Sequence, residues 1–182
     1  ASGKSTGAKL IAKQYKLLLF NSGLYYRYAS FLILKNKPQD KIKYLKKKLN
    51  NISYKRISKL DIYSQEISKY VAVIAQQKEI RKIIDKLQKK IIKNNNRICI
   101  EGRDIASKIL NKNPKYDIAF YFKCNLKVAS FRRWIDLEKK ISLSEVKNSL
   151  KLRTKLDKNR THSPLTRVKD SVLIQSDKLN KF

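Results

Sequence analysis

The sequence predicts an α/β fold of three layers, in which a parallel β-sheet lies between helices on both faces. Two observations support this prediction. Along most of the 182 residues, short apolar segments of strand length alternate with longer segments of helical periodicity. The chain also begins with Ala-Ser-Gly-Lys-Ser-Thr and runs directly into an apolar-patterned helix. Strands that alternate with helices are joined by crossover connections, which make neighbouring strands parallel.

These first residues match the second half of a phosphate-binding loop, G-x-x-x-x-G-K-[ST]. Gly3 lets the backbone turn its N–H groups toward phosphate oxygens, and the following helix adds the positive end of its dipole. Lys4 supplies a mobile charge, and the hydroxyl of Ser5 or Thr6 can meet the magnesium ion of a nucleoside triphosphate. We expect a strand ending in glycine before Ala1 and interpret both ends of the chain as truncated. Read alone, Gly-Lys-Ser also fits an ordinary capped helix.

Turn residues and apolar periodicity define the elements of the first half. Asn21-Ser22-Gly23 separates an apolar run from a helix rich in aromatic residues, most of which we expect in the core. Residues 35–60 are lysine-rich and weakly patterned, so we interpret them as a small mobile insertion over the site rather than core. The predicted elements are a helix over 7–13, a strand over 15–20, a helix over 24–34, a short helix between Pro38 and Leu49, and one helix over 61–93 or two with a break near 76–78.

Capping residues define the elements of the second half. Asn125 is expected to cap a helix that runs to about Lys139. Ser142 and Glu145 form a capping box for a helix that runs to about Lys158. The apolar runs of strand length cover residues 97–101, 118–122 and 171–175. With the elements of the first half, this order predicts a single three-layer α/β domain.

The formal net charge of +30 makes a nucleic-acid-binding protein the alternative from another class. The 34 lysines are spread along the chain, whereas the arginines number 10. Such lysines are typical of a solvated surface. The aromatic residues lie mostly in apolar runs rather than among exposed basic residues, which disfavours a nucleic-acid surface. We therefore expect no specific nucleic-acid partner.

The cysteines and the hydropathy pattern indicate the compartment. Cys99 and Cys124 lie in or beside apolar segments without the spacing of metal ligands, so we interpret them as reduced thiols. Reduced thiols favour a cytoplasmic protein. The sequence contains no apolar run long enough to cross a bilayer, and we expect no membrane partner.

Six arginines fall at positions that favour anion binding. Arg27 and Arg103 follow the carboxyl ends of predicted strands, where ligands of open α/β sheets bind. Arg132 and Arg133 lie on the helix after strand 118–122. The spacing i, i+4, i+7 places three charged residues on one helical face, namely Arg153, Asp157 and Arg160. An exposed ion pair is the alternative for that face. In a chain that otherwise uses lysine, these arginines indicate bidentate phosphate recognition and phosphoryl transfer.

The chain is similar, over nearly its whole length, to the bacterial-type cytidylate kinases. Five segments carry the resemblance, and they occur in the same order as in the family. Residues 1–6 resemble the end of the phosphate loop, Asn21 to Arg27 resembles D-S-G-x-x-Y-R with Asn21 for Asp, and Ser64 to Ile67 resembles T-Q-E-V. Glu101 to Asp104 resembles D-G-R-D with Glu101 for Asp, and Arg153 to Leu165 resembles R-x-x-x-D-x-N-R…P-L, including Asn159.

The resemblance implies a P-loop nucleoside monophosphate kinase, expected to be a monomer, that transfers the γ-phosphoryl group of ATP to CMP or dCMP with Mg²⁺. It implies a reduced nucleotide-binding insertion over 35–60 and a helical lid over 130–160. The implied ATP contacts are Ala1, Ser2, Gly3, Lys4, Ser5, Thr6, Arg132 and Arg133, with Ser5 and Thr6 near the metal. The implied CMP contacts are Ser22, Tyr26, Arg27, Arg103, Asp104, Arg153, Asp157 and Arg160. Among these residues, Lys4, Arg103, Arg153 and Arg160 carry the catalytic charge.

The chain departs from the family pattern in two places. Tyr63 stands where the family usually has an arginine, and the stretch between Arg27 and Ser64 is shorter than usual. Both changes leave strict cytosine preference open, although Arg56 could substitute for the missing arginine. His162, the one histidine, is interpreted as a turn residue rather than an acid. A kinase for another nucleotide or for shikimate is the near alternative.

Overall fold

The computed structural model describes residues 2–112 and 114–179, so Ala1, an implied ATP contact, lies outside the described residues. The helices are α1 (Lys4–Gln14), α2 (Gly23–Asn36), α3 (Lys41–Leu49), α4 (Tyr54–Ile57), α5 (Gln65–Ile74), α6 (Lys78–Lys93), α7 (Leu126–Asp136) and α8 (Leu143–Asn159). The strands are β1 (Leu18–Asn21), β2 (Ile98–Glu101), β3 (Phe120–Lys123) and β4 (Val172–Gln175). A π-helical turn covers Ile105–Ile109.

The strands form two parallel pairs. β1 pairs with β2, with Leu18 opposite Ile98, and β3 pairs with β4, with Phe120 opposite Val172. Helices connect the strands of each pair, as parallel pairing requires. The α/β class with parallel strands is therefore confirmed. Within the described residues the two pairs are separate sheets, so the three-layer sandwich around one sheet stays a prediction.

A cleft of about 940 Å³ lies between the two pairs, with β2 on one side and β3 on the other. The segment containing β1 donates hydrogen bonds to the carbonyls of Arg97 and Glu101, and the segment containing β4 donates to those of Ala119 and Lys123. Alternate residues of a parallel strand bond to opposite neighbours. These acceptors are odd-numbered, so the even-numbered residues of β2 and β3 direct their backbone groups toward the cleft.

The start of the chain lies at one end of this cleft. The hydroxyl of Ser176 donates to the carbonyl oxygens of Ser2, at 3.0 Å, and Lys123, at 3.2 Å. Ser2 therefore lies at the carboxyl end of β3.

The local signals of helix ends are confirmed. The side chain of Asn125 accepts the Lys127 N–H at 2.8 Å, and Ser142 and Glu145 form the complete capping box. The long apolar pattern after residue 61 is two helices, since α5 ends at Ile74 and α6 begins at Lys78. In contrast, α1 begins at Lys4 rather than at residue 7, directly after Gly3, which has φ of 80°.

One hydrophobic cluster joins the aromatic residues of α2 to β1, α5 and α6. Phe20 and Tyr25 are fully buried and contact each other edge to face, with ring centroids 6.2 Å apart. Ile74 and Ile84 add the faces of α5 and α6 to this cluster. The expectation that most aromatic residues of this helix belong to the core is confirmed. The cluster fixes the carboxyl end of β1, from which the candidate site begins.

The expectation that residues 35–60 stand apart from the core is wrong. Leu45, Leu49 and Ile57 have no exposed surface and belong to the main cluster. Leu45 and Leu49 lie one turn apart on α3, while the lysines between them face solvent. The lysine content hides this narrow apolar face in the sequence.

The cysteines and the helices bear on the compartment and the membrane contacts that the sequence analysis considers. Cys99 and Cys124 are free thiols and are partly buried. Of the helices among the described residues, none combines the length and the apolar character that crossing a membrane requires.

We expect Leu45→Ala to lower the free energy of unfolding by about 2–5 kcal/mol, because it removes buried methyl groups and leaves a cavity. Urea unfolding of the full-length protein measures this loss. Lys47→Ala, on the exposed face of the same helix, should change the free energy by less than about 0.5 kcal/mol. Equal effects of the two substitutions would contradict the assignment of α3 to the core.

Candidate active site

The candidate site lies where β1 and β2 end, beside the start of α1 and the last turn of α8. Asn21 and Glu101 close the register of the two strands, and Gly102 follows directly. A Cβ at Gly102 would lie 2.4 Å from the Ser22 hydroxyl and 2.5 Å from a side-chain carbon of Ile105. Only glycine therefore allows the turn after β2 to approach the turn after β1 so closely.

Asp157 is the centre of a cluster of arginines. Its carboxylate lies 2.8 Å from Nη1 of Arg103, 3.5 Å from Nη1 of Arg160 and 4.0 Å from Nε of Arg153. Asp157 is 6% exposed and Arg160 is 9% exposed. The alternative of an exposed ion pair on this face of α8 is therefore wrong. One carboxylate faces three guanidinium groups, so the cluster has an excess of positive charge that suits an anionic ligand.

A second buried carboxylate, Asp104, lies beside this cluster. Arg81 of α6 forms an ion pair with it, and Nη2 of Arg160 lies 3.7 Å from its Oδ2. Nη1 of Arg81 also donates to the carbonyl of Ala75 at 3.1 Å. The guanidinium of Arg81 lies over the ring of Tyr26, 5.5 Å from its centroid. The two carboxylates thus share Arg160 and form one continuous buried network.

The sequence analysis missed Arg81. The residue is 4% exposed and lies on the apolar face of α6, one position after Ile80 and seven before the buried Gln88. An arginine on the apolar face of a helix whose other basic residues are lysines is the signal that could have found it. Its partner Asp104 lies 23 residues further along the chain, so only the fold brings the two together.

Among the described residues, Oδ2 of Asp157 and Nη2 of Arg160 have ion-pair contacts only. Beside them, two further polar atoms near this network lack a hydrogen-bond partner within residues 2–112 and 114–179, namely the hydroxyl of Tyr26 and one carboxylate oxygen of Asp85. Burial raises the pKa of Asp85, and the neighbouring Arg81 opposes that effect. Buried polar atoms are normally satisfied, so unpaired atoms beside a charged network are available for a ligand. Tyr26 lies beside Arg81 of this network, and its contact with a nucleotide stays a prediction.

Arg27 reaches the site from α2. Its Nη1 donates to the hydroxyl of Ser68 at 3.0 Å and to the carbonyl of Ile62 at 3.3 Å. Burial lowers the pKa of Arg27, and the charges of Arg133 and Arg103 lower it further. These arginines are therefore close enough to repel one another. The structure brings Arg27, Arg103, Arg153 and Arg160 into the same region, as the sequence analysis predicted.

Lys4 borders this region from the start of α1. Its ammonium lies 3.1 Å from the hydroxyl of Ser2. Burial, followed by the charge of Arg103, lowers the pKa of Lys4 to about 8, and Glu101 opposes the shift. Gly3 has φ of 80°, and its carbonyl accepts the N–H of Gly7 at 2.8 Å. The phosphate-loop lysine therefore points toward the arginine cluster.

The two arginines of α7 have different surroundings. Nη2 of Arg132 donates to the carbonyl oxygens of Ser176, Asp177 and Leu179, at 2.9, 3.2 and 2.9 Å, and so ties α7 to the segment after β4. Arg133 instead lies near the cluster, where its charge lowers the pKa of Arg27 and Arg153. A lid role for either residue stays a prediction.

The remaining implied nucleotide contact of the first half, Ser22, is buried at the turn after β1. Gln88 of α6 donates to the Ser22 carbonyl at 3.4 Å. The N–H of Ser22 donates in turn to the carbonyl of Glu101 at 3.0 Å. These bonds hold the β1 turn between α6 and the end of β2, and the contact of Ser22 with a nucleotide stays a prediction.

The amino-acid sequence of this chain is similar to those of known proteins from one family. A family model described as cytidylate kinase matches residues 1–181. The chain is 30% identical to the cytidylate kinase of Phytoplasma mali (strain AT), over 99% of this chain and 84% of that protein. It is 32% identical to the cytidylate kinase of Clostridium botulinum (strain Langeland / NCTC 10281 / Type F), over 96% of this chain and 85% of that protein.

A longer relative is also similar. The chain is 35% identical to the bifunctional pantoate ligase/cytidylate kinase of Prochlorococcus marinus (strain MIT 9215), over 97% of this chain and 38% of that protein. The resemblance found in the sequence motifs is confirmed, because the family model spans the phosphate loop, the arginine cluster and the elements between them. The chain belongs to the cytidylate kinase family.

Proposed function

We infer that this protein is a cytidylate kinase, which transfers the γ-phosphoryl group of ATP to CMP and releases ADP and CDP. One observation carries the inference: a buried cluster of arginines around Asp157 lies beside the lysine of a phosphate loop. Phosphoryl transfer needs positive charge around the migrating group and exact placement of donor and acceptor. Family membership supplies the nucleotide acceptor.

The arginine cluster supports a division of roles that we propose as follows. Arg27, Arg103 and Arg160 hold the phosphate of CMP, since guanidinium groups bind phosphate oxygens in pairs. Arg153 and Lys4 neutralise the charge that develops on the transferred group. The acceptor phosphate is already anionic, so the reaction requires no general base. Asp157 keeps the arginines in place when no nucleotide is bound.

The second carboxylate supports recognition of the base. We propose that Asp104 accepts a hydrogen bond from the amino group of cytosine and that Arg81 fixes its orientation. Tyr26 and Ser22 then line the same pocket. The hydroxyl of Tyr26, which has no hydrogen-bond partner among the described residues, is available to the nucleotide there. A carboxylate can accept but cannot donate when ionised, which favours cytosine over a base with a carbonyl at that position.

The residues at the start of α1 fit a magnesium ion that is held mainly by the nucleotide. Among the described residues, no group of three or more His, Cys, Asp or Glu side chains could hold a metal alone. Mg²⁺ commonly keeps few protein ligands and binds substrate phosphates. We propose that the hydroxyl of Ser5 or Thr6 contributes one ligand. When bound, the ion supplies charge neutralisation between the β- and γ-phosphates.

The other expectations stay proposals. We expect one domain in which residues 130–160 act as a lid over ATP, with Arg132 and Arg133 as its contacts, and in which Ser2 and Gly3 contact the triphosphate. The bonds from Arg132 to the segment after β4 support a role on the ATP side of the site. The free cysteines agree with a reducing cytoplasm. A monomer remains the expected state.

We expect the full-length protein to release ADP from ATP in the presence of CMP and dCMP, and at least about tenfold less efficiently with UMP or AMP, because a site built for one base edge rejects others. A coupled ADP-release assay with each acceptor measures this preference. Phosphorylation of UMP or AMP more efficiently than of CMP and dCMP would indicate the near alternative. No acceptor-dependent release of ADP would refute the kinase function.

We expect Arg160→Lys to lower kcat by about 100-fold or more, because lysine cannot replace a guanidinium that joins two carboxylates and a phosphate. Steady-state kinetics and the unfolding midpoint should show lost turnover with the fold retained. Arg97→Lys is the matched control, since this exposed arginine contacts only the Tyr15 carbonyl among the described residues. Turnover of Arg160→Lys near that of the control would argue against the assigned role.

We expect the affinity for ATP to fall on the order of tenfold between pH 7.5 and 9. The pKa of Lys4 is lowered to about 8 in the free protein, and a bound triphosphate raises it. Below pH 8 Lys4 is charged and ready to bind; above pH 8 binding must first take up a proton. Equilibrium titration with ATP and Mg²⁺ across this range measures the effect.

Lys4→Arg provides the control for this pH dependence, because a guanidinium does not lose its proton in this range. Its affinity for ATP, whatever its absolute value, should not change with pH through the titration of residue 4. A wild-type affinity that is constant from pH 7.5 to 9 would show that the pKa of Lys4 is not lowered.

A further inference from the structure

Tyr63 lies against the guanidinium of Arg27. The Cζ atom of Arg27 is 4.7 Å from the centroid of the Tyr63 ring. Tyr63 is 47% exposed, so burial of its own surface does not explain its position. A ring at this distance attracts a guanidinium through its negative face. The contact therefore stabilises the position of the Arg27 guanidinium rather than the packing of the hydrophobic core.

Arg27 is held on a second side by hydrogen bonds. Both acceptors, the Ile62 carbonyl and the Ser68 hydroxyl, are bound by Nη1. The ring of Tyr63 covers one face of the same planar group. Neither contact uses the edge formed by Nη2 and Nε, which is the edge that can bind two oxygens of a phosphate. The orientation of that edge is thus set before a ligand binds.

The charges around Arg27 make such support necessary. Arg103 and Arg133 both repel it, and the described residues show no carboxylate in an ion pair with it. Arg103 and Arg160, in contrast, each have a carboxylate partner. The electron-rich face of Tyr63 gives Arg27 the favourable electrostatic contact that Asp157 gives to the others.

We propose that Tyr63 is a positioning residue for the acceptor phosphate, acting through Arg27. The proposal rests on the inferred cytidylate kinase function, in which Arg27 binds the phosphate of CMP. The aromatic ring, rather than the hydroxyl, is the part that acts. Loss of the ring frees the guanidinium to rotate about its side-chain bonds, and CMP must then restore the lost order on binding.

Two substitutions at one position test this proposal in the full-length enzyme. Tyr63→Leu keeps apolar bulk but removes the ring, and we expect it to raise the KM for CMP roughly three- to tenfold. The KM for ATP should change less than about twofold, since the proposed ligand of Arg27 is the phosphate of CMP. Tyr63→Phe keeps the ring and should retain both KM values within about twofold.

Tyr44→Leu is the matched control. Tyr44 also lies under a cation, with the Lys48 ammonium 6.0 Å from its ring centroid, but on α3 and outside the site. It should leave both KM values unchanged. An effect of Tyr63→Leu that is equal on both substrates, absent, or matched by Tyr63→Phe would overturn the proposal.

Calorimetric titration with CMP alone separates this proposal from the kinase function. A weaker affinity of Tyr63→Leu, with Tyr63→Phe like the wild type, supports the positioning role even if turnover is not observed. Wild-type turnover of CMP together with equal CMP affinity in all three proteins refutes only the role of Tyr63. Wild-type protein that neither binds nor phosphorylates CMP refutes both inferences.

Discussion

The placement of like charges constrains the structure more than any other requirement. At least four arginines lie close enough to repel one another, and burial makes their charge costly. Asp157 and Asp104 offset this cost, since each faces more than one guanidinium. Removing either carboxylate would leave buried positive charge without a partner. The last turn of α8, the end of β2 and the apolar face of α6 are therefore held in one arrangement by electrostatics as well as by packing.

The same arrangement explains why several backbone positions allow little change. Gly102 has space for no side chain, because Ser22 and Ile105 fill the volume that a Cβ would need. Its neighbours Arg103 and Asp104 reach Asp157 and Arg160, respectively, only if the turn stays this close. The turn after β1 is anchored by the hydrophobic cluster that contains Phe20, Tyr25 and the apolar face of α3. The hydrophobic cluster thus sets the distance between turns, and the charged network occupies the space that remains.

Local signals in the sequence predicted much of this structure. The capping box at Ser142, the cap at Asn125 and the spacing of Arg153, Asp157 and Arg160 depend on near neighbours in the chain, and each was found. The core face of α3 was not predicted, since lysines outnumber its apolar residues. Arg81 and Tyr63 contact Asp104 and Arg27, which lie far from them in the chain, so only the three-dimensional structure shows these contacts.

The bond between Ser176 and Ser2 joins positions 174 residues apart. The residues that precede α1 therefore meet this neighbour only after β4 has been synthesised. Contacts of such high sequence separation form late, because closing a long loop costs entropy before the contact stabilises it. The arginine cluster closes earlier, since its last member, Arg160, precedes β4 in the chain. A nascent chain would thus complete the contacts around Asp157 before the segment after β4 could bind the residues that precede α1.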